Sequence, residues 1–258
     1  MTHDPVAQTA PHKVVIMARG LGTRMRKSVE GVSLTADQAA AASAGVKAMI
    51  SLDDRPFLDY VISALADAGF DEFCLVIGPE HNVIRDYYDA CEKSRLSIVY
   101  AVQEHPLGTA DAVAAAEEFA GDDRVLVVNS DNFYPEDAVA RLREVPASGT
   151  LGFTKRAMIA QSNIDPERIR AFALLDSDDS GQLTDIIEKP DPHIVDAAGE
   201  TALVSMNCFL LTPRIFEACR SIDKSERGEY EIVDAVRWMV EHGEHFDVVP
   251  VESGVLDM

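Results

Sequence analysis

The sequence predicts an α/β fold in which a mixed, mostly parallel sheet is covered by helices on both faces. Two observations carry this reading. Short apolar, β-branched runs alternate with amphipathic stretches through the first half of the chain, the order expected of parallel strands joined by crossover helices. After about Gly149 the rhythm changes to strand-rich sequence with turn signals. With 258 residues, 47% of them hydrophobic, the chain is long enough to bury a large core without disulfides or a structural metal.

Lys13–Ala18 is the first strand, broken by Gly20-Leu21-Gly22. Pro56 suits the first position of a helix over Phe57–Ala68, where Leu58, Val61, Ile62 and Leu65 recur at 3–4 spacing before Gly69 ends it. Phe73–Ile77 is a buried strand, Asn82–Lys93 a helix and Leu96–Val102 a strand. An alanine-rich helix over Ala110–Phe119 then leads to the strand Val125–Asn129. Beyond it, Thr150–Thr154, Arg170–Asp176, Leu183–Glu188 and Val204–Leu211 are strands, with Asp178-Asp179-Ser180-Gly181 as a hairpin turn. Pro213–Cys219 and Tyr230–His242 are helices. No Pro/Gly/Ser linker or repeat interrupts the chain, so residues 1–258 are expected to form one domain. Residues 13–149 would be a nucleotide-type half and residues 150–258 a half that completes the sheet.

Acidic residues outnumber basic ones 44 to 23, a formal net charge of −21. Such a field repels nucleic-acid polymers and anionic membranes. Cys74, Cys91, Cys208 and Cys219 form no CxxC pair, which argues against a zinc site or a secreted disulfide framework. Met1–His12 is polar, and the apolar run after it is too short for a signal peptide. No stretch approaches the roughly 20 apolar residues of a membrane span. A reduced, cytoplasmic location is the expectation.

The loop Arg19–Lys27 departs from the acidic average, with four basic side chains and no acidic one. It leaves the end of the first strand, where ligands of open α/β sheets bind. Its glycines allow close approach of the backbone, and its N–H and guanidinium groups suit phosphate oxygens. It matches neither GxxxxGK[ST] nor GxGxxG, since Met25 stands where the third glycine would be. A solvated basic turn is the alternative. Asp131 follows the apolar strand and so sits at the carboxyl edge of the sheet, where a carboxylate suits Mg²⁺ and also suits a turn or helix cap.

These pieces fall in a familiar order. Ala18-Arg19-Gly20-Leu21-Gly22-Thr23-Arg24-Met25 resembles the GxGTR signature of the sugar-1-phosphate nucleotidyltransferases, the nucleotide-sugar pyrophosphorylases. Val46-Lys47-Ala48-Met49-Ile50 with Arg55–Tyr60 resembles their "PK" stretch, and Gln103–Ala110 their "Q-pLGTA" loop. Asn129-Ser130-Asp131 stands for "GD", Glu188-Lys189-Pro190 for EKP and Gly228–Ile232 for "GEyeiTD". The ordered set covers nearly the whole chain.

The resemblance implies a Rossmann-like three-layer α/β/α nucleotidyltransferase fold. It also implies Mg²⁺-dependent transfer from a nucleoside triphosphate to a sugar-1-phosphate, with UTP or dTTP and glucose-1-phosphate favoured, giving a nucleotide sugar and pyrophosphate. Ala18, Gly20, Leu21, Gly22 and Thr23 would hold the nucleotide, with Arg24 on the β/γ phosphates. Lys47 would lie beside the α-phosphate and the attacking phosphate. Gln103 would read the base, and Gly108 and Thr109 would pack beside it. Asp131 and Asp257 would hold Mg²⁺, Glu188 the sugar hydroxyls, Lys189 the sugar phosphate, and Asn207 would line the sugar pocket. No nucleophilic side chain is required, because in-line attack between two anions needs positioning and charge neutralisation.

Several features depart from the family pattern. Arg19 replaces a small residue, adding charge and bulk near the base or ribose. The stretch between Arg24 and Lys47 is long, with a capping box at Thr35-Ala36-Asp37-Gln38, and is expected to form a lid over the phosphates. Ser130 replaces a glycine, and the sequence stops at Met258 where relatives continue into a helix. Two other readings stay open: a non-catalytic nucleotide-sugar-binding regulator on the same fold, and transfer to a non-sugar phosphate. The base, the sugar and the number of copies in an assembly are not fixed by the sequence.

Overall fold

The computed structural model describes residues 10–20 and 47–258. Leu21, Gly22, Thr23, Arg24 and the expected lid over residues 27–46 lie outside the described residues.

The N-terminal half lays down four parallel strands. They are β1 (Lys13–Met17), β4 (Glu72–Ile77), β5 (Ser97–Val102) and β6 (Val125–Asn129), in spatial order β6-β1-β4-β5. Between β1 and β4 come a short turn of 3₁₀ helix at Lys47–Met49, the ribbon β2 (Ser51–Leu52) with β3 (Arg55–Pro56), and helix α1 (Phe57–Asp67). Helix α1 buries Phe57, Leu58, Val61, Ile62 and Leu65, the stripe its spacing predicts. Strands β1, β4 and β6 are buried on both faces, as their unbroken apolar sequence requires, while β5 lies at the sheet edge with Val99 exposed. In β1, Val14 and Ile16 join one core layer and Val15 and Met17 the other.

Helix α2 spans Asn82–Ala90, shorter than the predicted Asn82–Lys93. The alanine-rich segment is two helices, α3 (Thr109–Ala114) and α4 (Glu117–Ala120), where one was expected. At the break the ladder tightens, with Ala116 N–H donating to Val113 O at 3.0 Å. After β6 follow β7 (Asn132–Phe133), α5 (Glu136–Arg143), β8 (Ser148–Thr154), α6 (Lys155–Gln161) and α7 (Pro166–Ile169).

Helix α7 corrects the reading of residues 170–176. Asp165 caps it through Oδ1, with Pro166 at its first position, so β9 starts only at Leu174 and runs to Ser177. The Asp178–Gly181 turn joins β9 to β10 (Leu183–Ile187), with Gly181 at φ +84°. Helix α8 (Pro192–Ala198), β11 (Leu203–Leu211), α9 (Arg214–Ser221), α10 (Ile232–Glu241), β12 (Phe246–Val251) and β13 (Leu256–Asp257) complete the chain. No strand was expected over β12, which contains Pro250. Among the described strands β12 pairs only with β8, an edge position where a proline is tolerated.

Strand β11 joins the two halves into one mixed sheet. It pairs antiparallel with β8 along one side and with β9, then β6, along the other. Its register shifts between Ser205 and Phe209, and Asn207 within that bulge adopts φ +54°. Continuing the β6 pairing, Phe209↔Val127, sets Asn207 level with Asn129, at the end of β6 and beside the space between β6 and β9. A bulge re-aims a side chain in this way.

Candidate functional site

The ends of β1, β4, β5 and β6 form one carboxyl edge, the position at which open α/β sheets bind ligands. Backbone hydrogen bonds carry this edge past the strands: Ala18 N–H donates to Val76 O and Gln103 N–H to Ile77 O, both at 2.9 Å. Ala18 and Gln103 are buried, while Gly20 is exposed.

Gln103 is held by a loop that doubles back on it. Its side-chain NH₂ donates to Gly108 O at 3.0 Å and to Asp111 Oδ2 at 2.8 Å. Gly108 sits at φ +118°, and a Cβ there would run into the Tyr230 backbone, 2.7 Å from its N and 2.9 Å from its C. Glycine is therefore required on two counts, conformation and space. Tyr230 N–H donates to Leu107 O (2.7 Å), Ala110 N–H to Tyr230 O (2.9 Å) and Ile232 N–H to Thr109 Oγ1 (2.8 Å). Thr109 thus satisfies a free N–H at the start of α10 from a distant part of the chain. The predicted Gln103–Ala110 and Gly228–Ile232 motifs form one welded unit.

A second cluster gathers Lys47, Asp131 and Asp257. Buried Ala48 and Met49 anchor the turn that carries Lys47, whose Nζ lies 3.8 Å from Asp131 Oδ2 and also donates to Met258 O. Strand β13 pairs antiparallel with β7, placing Asp257 opposite Asn132, and Met258 N–H donates to Asp131 O at 2.9 Å. A relay fixes Asp257: Asn129 Nδ2 donates to Asn132 Oδ1 (2.8 Å), and Asn132 Nδ2 to Asp257 Oδ1 (3.1 Å). Arg168 Nη2 pairs with Asp257 Oδ2 at 2.9 Å, and Asn163 bonds both the N–H and the C=O of Asp257, each at 2.7 Å.

Desolvation is the largest influence on Asp131 and raises its pKa. Lys47 opposes the shift and the Asp257 charge adds to it. A carboxylate disfavoured by burial and by a like charge is one that a bound cation would relieve.

Glu188 and Lys189 follow β10. Burial raises the Glu188 pKa and the neighbouring Glu231 adds to it, while Lys189 and Arg227 oppose. Glu231 is buried, accepts from Ser225 Oγ at 3.2 Å and pairs with Arg227. Because Glu231 follows Tyr230, this charged cluster is continuous with the Gly108 loop. Lys189 has φ +46° and Asn207 φ +54°, while the third non-glycine residue with positive φ among the described residues, Asp53, lies in the β2–β3 turn. Backbone strain at two candidate site residues is a pattern of functional positions.

The structure therefore brings Gln103, Gly108 and Thr109 together, and Lys47, Asp131 and Asp257 together. Sequence reasoning missed Asp111, Arg168, Asn163, Asn132 and Arg227. Arg168 meets Asp257 across 89 positions, and no local pattern announces such a pair. Arg19, counted in the basic loop and noted as a departure from the family pattern, is buried. It donates through Nη1 to Gln103 O, and its Nη2 lies 3.6 Å from Glu80. No three His, Cys, Asp or Glu side chains among the described residues form a metal-binding group, and no described helix is long and apolar enough to cross a membrane.

Similarity to known proteins runs the length of this arrangement. UTP–glucose-1-phosphate uridylyltransferase AglF of Haloferax volcanii is 28% identical over 248 residues, covering 95% of this chain and 90% of that one. A glucose-1-phosphate thymidylyltransferase of Streptomyces griseus is 29% identical over 234 residues. That alignment covers 90% of this chain, which spans only 58% of the relative. A UTP-bound UGPase from Acinetobacter baumannii superposes with a TM-score of 0.73 over 96% of this chain and 88% of that chain, at 18% identity, a likeness of fold. The nucleotidyl transferase family model matches residues 13–253. The chain belongs to the nucleotidyl transferase family.

Proposed function

We propose that the carboxyl-edge site transfers a nucleotidyl group from UTP or dTTP to a sugar-1-phosphate, with glucose-1-phosphate favoured. A sugar-phosphate oxygen attacks the α-phosphorus, the bond to the bridging α–β oxygen breaks, and pyrophosphate leaves with that oxygen. The observation that carries the reading is the convergence of Lys47, Asp131 and Asp257 from three distant stretches at the sheet edge that also presents Gln103. Relatives named as uridylyl- and thymidylyltransferases support the choice of nucleotide and sugar.

Lys47, a cation within reach of Asp131, would neutralise the approaching phosphates and hold the attacking one in line. Gln103 would read the base over the loop fixed by Gly108 and Thr109. Glu188, beside Glu231, would bind sugar hydroxyls, Lys189 the sugar phosphate, and Asn207 would line the sugar pocket from its bulge. Roles for Gly20, Leu21, Gly22, Thr23 and Arg24 on the triphosphate rest on the motif alone.

The donor set fits Mg²⁺. Asp131 is a partly buried carboxylate near a second one, Asp257, and Mg²⁺ is commonly held by one or two carboxylates with phosphate oxygens and waters completing the shell. When bound, the ion would offset phosphate charge. Arg168 and Asn132 would hold Asp257 in place for it.

A panel of four triphosphates against several sugar-1-phosphates, assayed for Mg²⁺-dependent pyrophosphate release, tests the proposal. Release with UTP or dTTP and a hexose-1-phosphate is expected. Nucleotide binding with no release under any pairing would replace it with a non-catalytic sensor.

A further inference from the structure

We infer that Arg19 and Gln103 form a donor–acceptor pair that selects a nucleobase whose ring N–H is flanked by a carbonyl on each side, the imide edge of uracil or thymine. The inference rests on the proposal that Gln103 faces the base. Arg19 is only 8% exposed, and its guanidinium carries five N–H donors and no acceptor. Nη1 is committed to Gln103 O and Nη2 faces Glu80. Nε is buried with no hydrogen-bond partner, alone in this among the buried side-chain polar atoms of the described residues.

An orphaned buried donor is costly and is relieved by an acceptor. It lies beside the residue proposed to read the base, because Arg19 and Gln103 are themselves hydrogen-bonded.

Gln103 supplies the complementary half. Both hydrogens of its amide are spent on Gly108 O and Asp111 Oδ2, which leaves Oε1 as an acceptor for a ligand N–H. An acceptor facing the middle of a base edge suits N3–H of uracil or thymine. That N–H is flanked by a carbonyl on each side, so Arg19 Nε finds an acceptor from either direction. Cytosine turns an unprotonated N3 toward Oε1, two acceptors face to face, and adenine does the same with N1. Asp111 is thus a positioning residue, since it fixes which face of the Gln103 amide is open.

Calorimetric binding of UTP and of CTP to the full chain and to Arg19→Met, which keeps the apolar stem and removes all donors, tests the pair. Wild type is expected to bind UTP at least roughly tenfold more tightly than CTP, and the variant to lose most of that preference, as a hydrogen bond from a charged donor implies. Arg19→Lys keeps the cation without the Nε donor and serves if the methionine variant fails to fold; the same loss is expected. A role confined to the Glu80 ion pair would weaken both nucleotides together.

An unchanged UTP/CTP ratio in the variants, or no preference in wild type, overturns the inference. The outcomes for transfer are separate. Arg19-dependent preference without pyrophosphate release would refute catalysis and leave base selection standing. Release with the preference unaltered in the variants would refute base selection alone.

Discussion

Replacing Gly108 with alanine tests the claim that the base loop and the 228–232 segment are one structural unit. The added Cβ meets Tyr230 backbone atoms, including its N at 2.7 Å and its C at 2.9 Å, so the two segments must separate. Separation puts three hydrogen bonds at risk: Tyr230 N–H to Leu107 O, Ala110 N–H to Tyr230 O, and Ile232 N–H to Thr109 Oγ1. At about 1 kcal/mol each, with about 1–2 kcal/mol for a non-glycine residue forced to φ +118°, the cost is about 4–5 kcal/mol. Partial relaxation of the loop would lower that figure.

Function suffers by the same movement, since Gly108 O holds the Gln103 amide. Denaturant unfolding of Gly108→Ala should show a loss of several kcal/mol, and any folded fraction should have a raised KM for the triphosphate. Thr109→Val, which removes only the hydroxyl at the start of α10, should cost about 1 kcal/mol and gives the scale for comparison. Stability within about 1 kcal/mol of wild type and an unchanged KM in Gly108→Ala would refute the reasoning, because the backbone clash would then not exist.

Two further predictions concern the paired carboxylates. Asp131→Asn should reduce turnover by a hundredfold or more, as expected for loss of a central charge, and should raise the melting temperature, because it removes a charge that burial and Asp257 disfavour. The sign follows from linkage. A carboxylate raised in the folded state contributes stability that is present below its unfolded pKa and lost as pH rises through the folded value. Melting temperature should therefore fall with rising pH above the ordinary carboxylate range, less steeply in Asp131→Asn than in wild type; identical slopes would contradict it. Arg168→Met should leave Asp257 charged, with Oδ2 free and only Oδ1 still held by Asn132. A Mg²⁺ titration of activity should then need roughly 10- to 100-fold more metal, and an unaltered titration would show that Arg168 serves the fold alone.

Much of the sheet was legible because parallel strands buried on both faces read as unbroken apolar runs. Val125–Asn129 was placed to the residue, and the α1 stripe followed from 3–4 spacing. What escaped had a local cause. The short helix Pro166–Ile169, capped by Asp165, sets the start of β9 back to Leu174, and Pro250 interrupts the strand pattern of β12. Within the site, the motif order named residues the fold gathers, such as Lys47 with Asp131. It could not name the partners that orient them. Arg168 on Asp257 and Asp111 on Gln103 are contacts made only by the folded chain. Arg19 was visible as an anomaly, but its burial against Gln103 and its unpaired Nε depend on strands that meet only in three dimensions.

The central claim is that the α-phosphate changes hands at this edge. UTP labelled at the α-phosphorus, incubated with glucose-1-phosphate, Mg²⁺ and the full chain, tests it directly. The label is predicted to appear in the nucleotide sugar, with pyrophosphate released in equal amount, and to stay in UTP when Lys47→Ala or Asp131→Asn replaces wild type. Label retained in UTP, or recovered as UMP by hydrolysis, with the wild-type chain under these conditions and with dTTP in place of UTP would contradict the account.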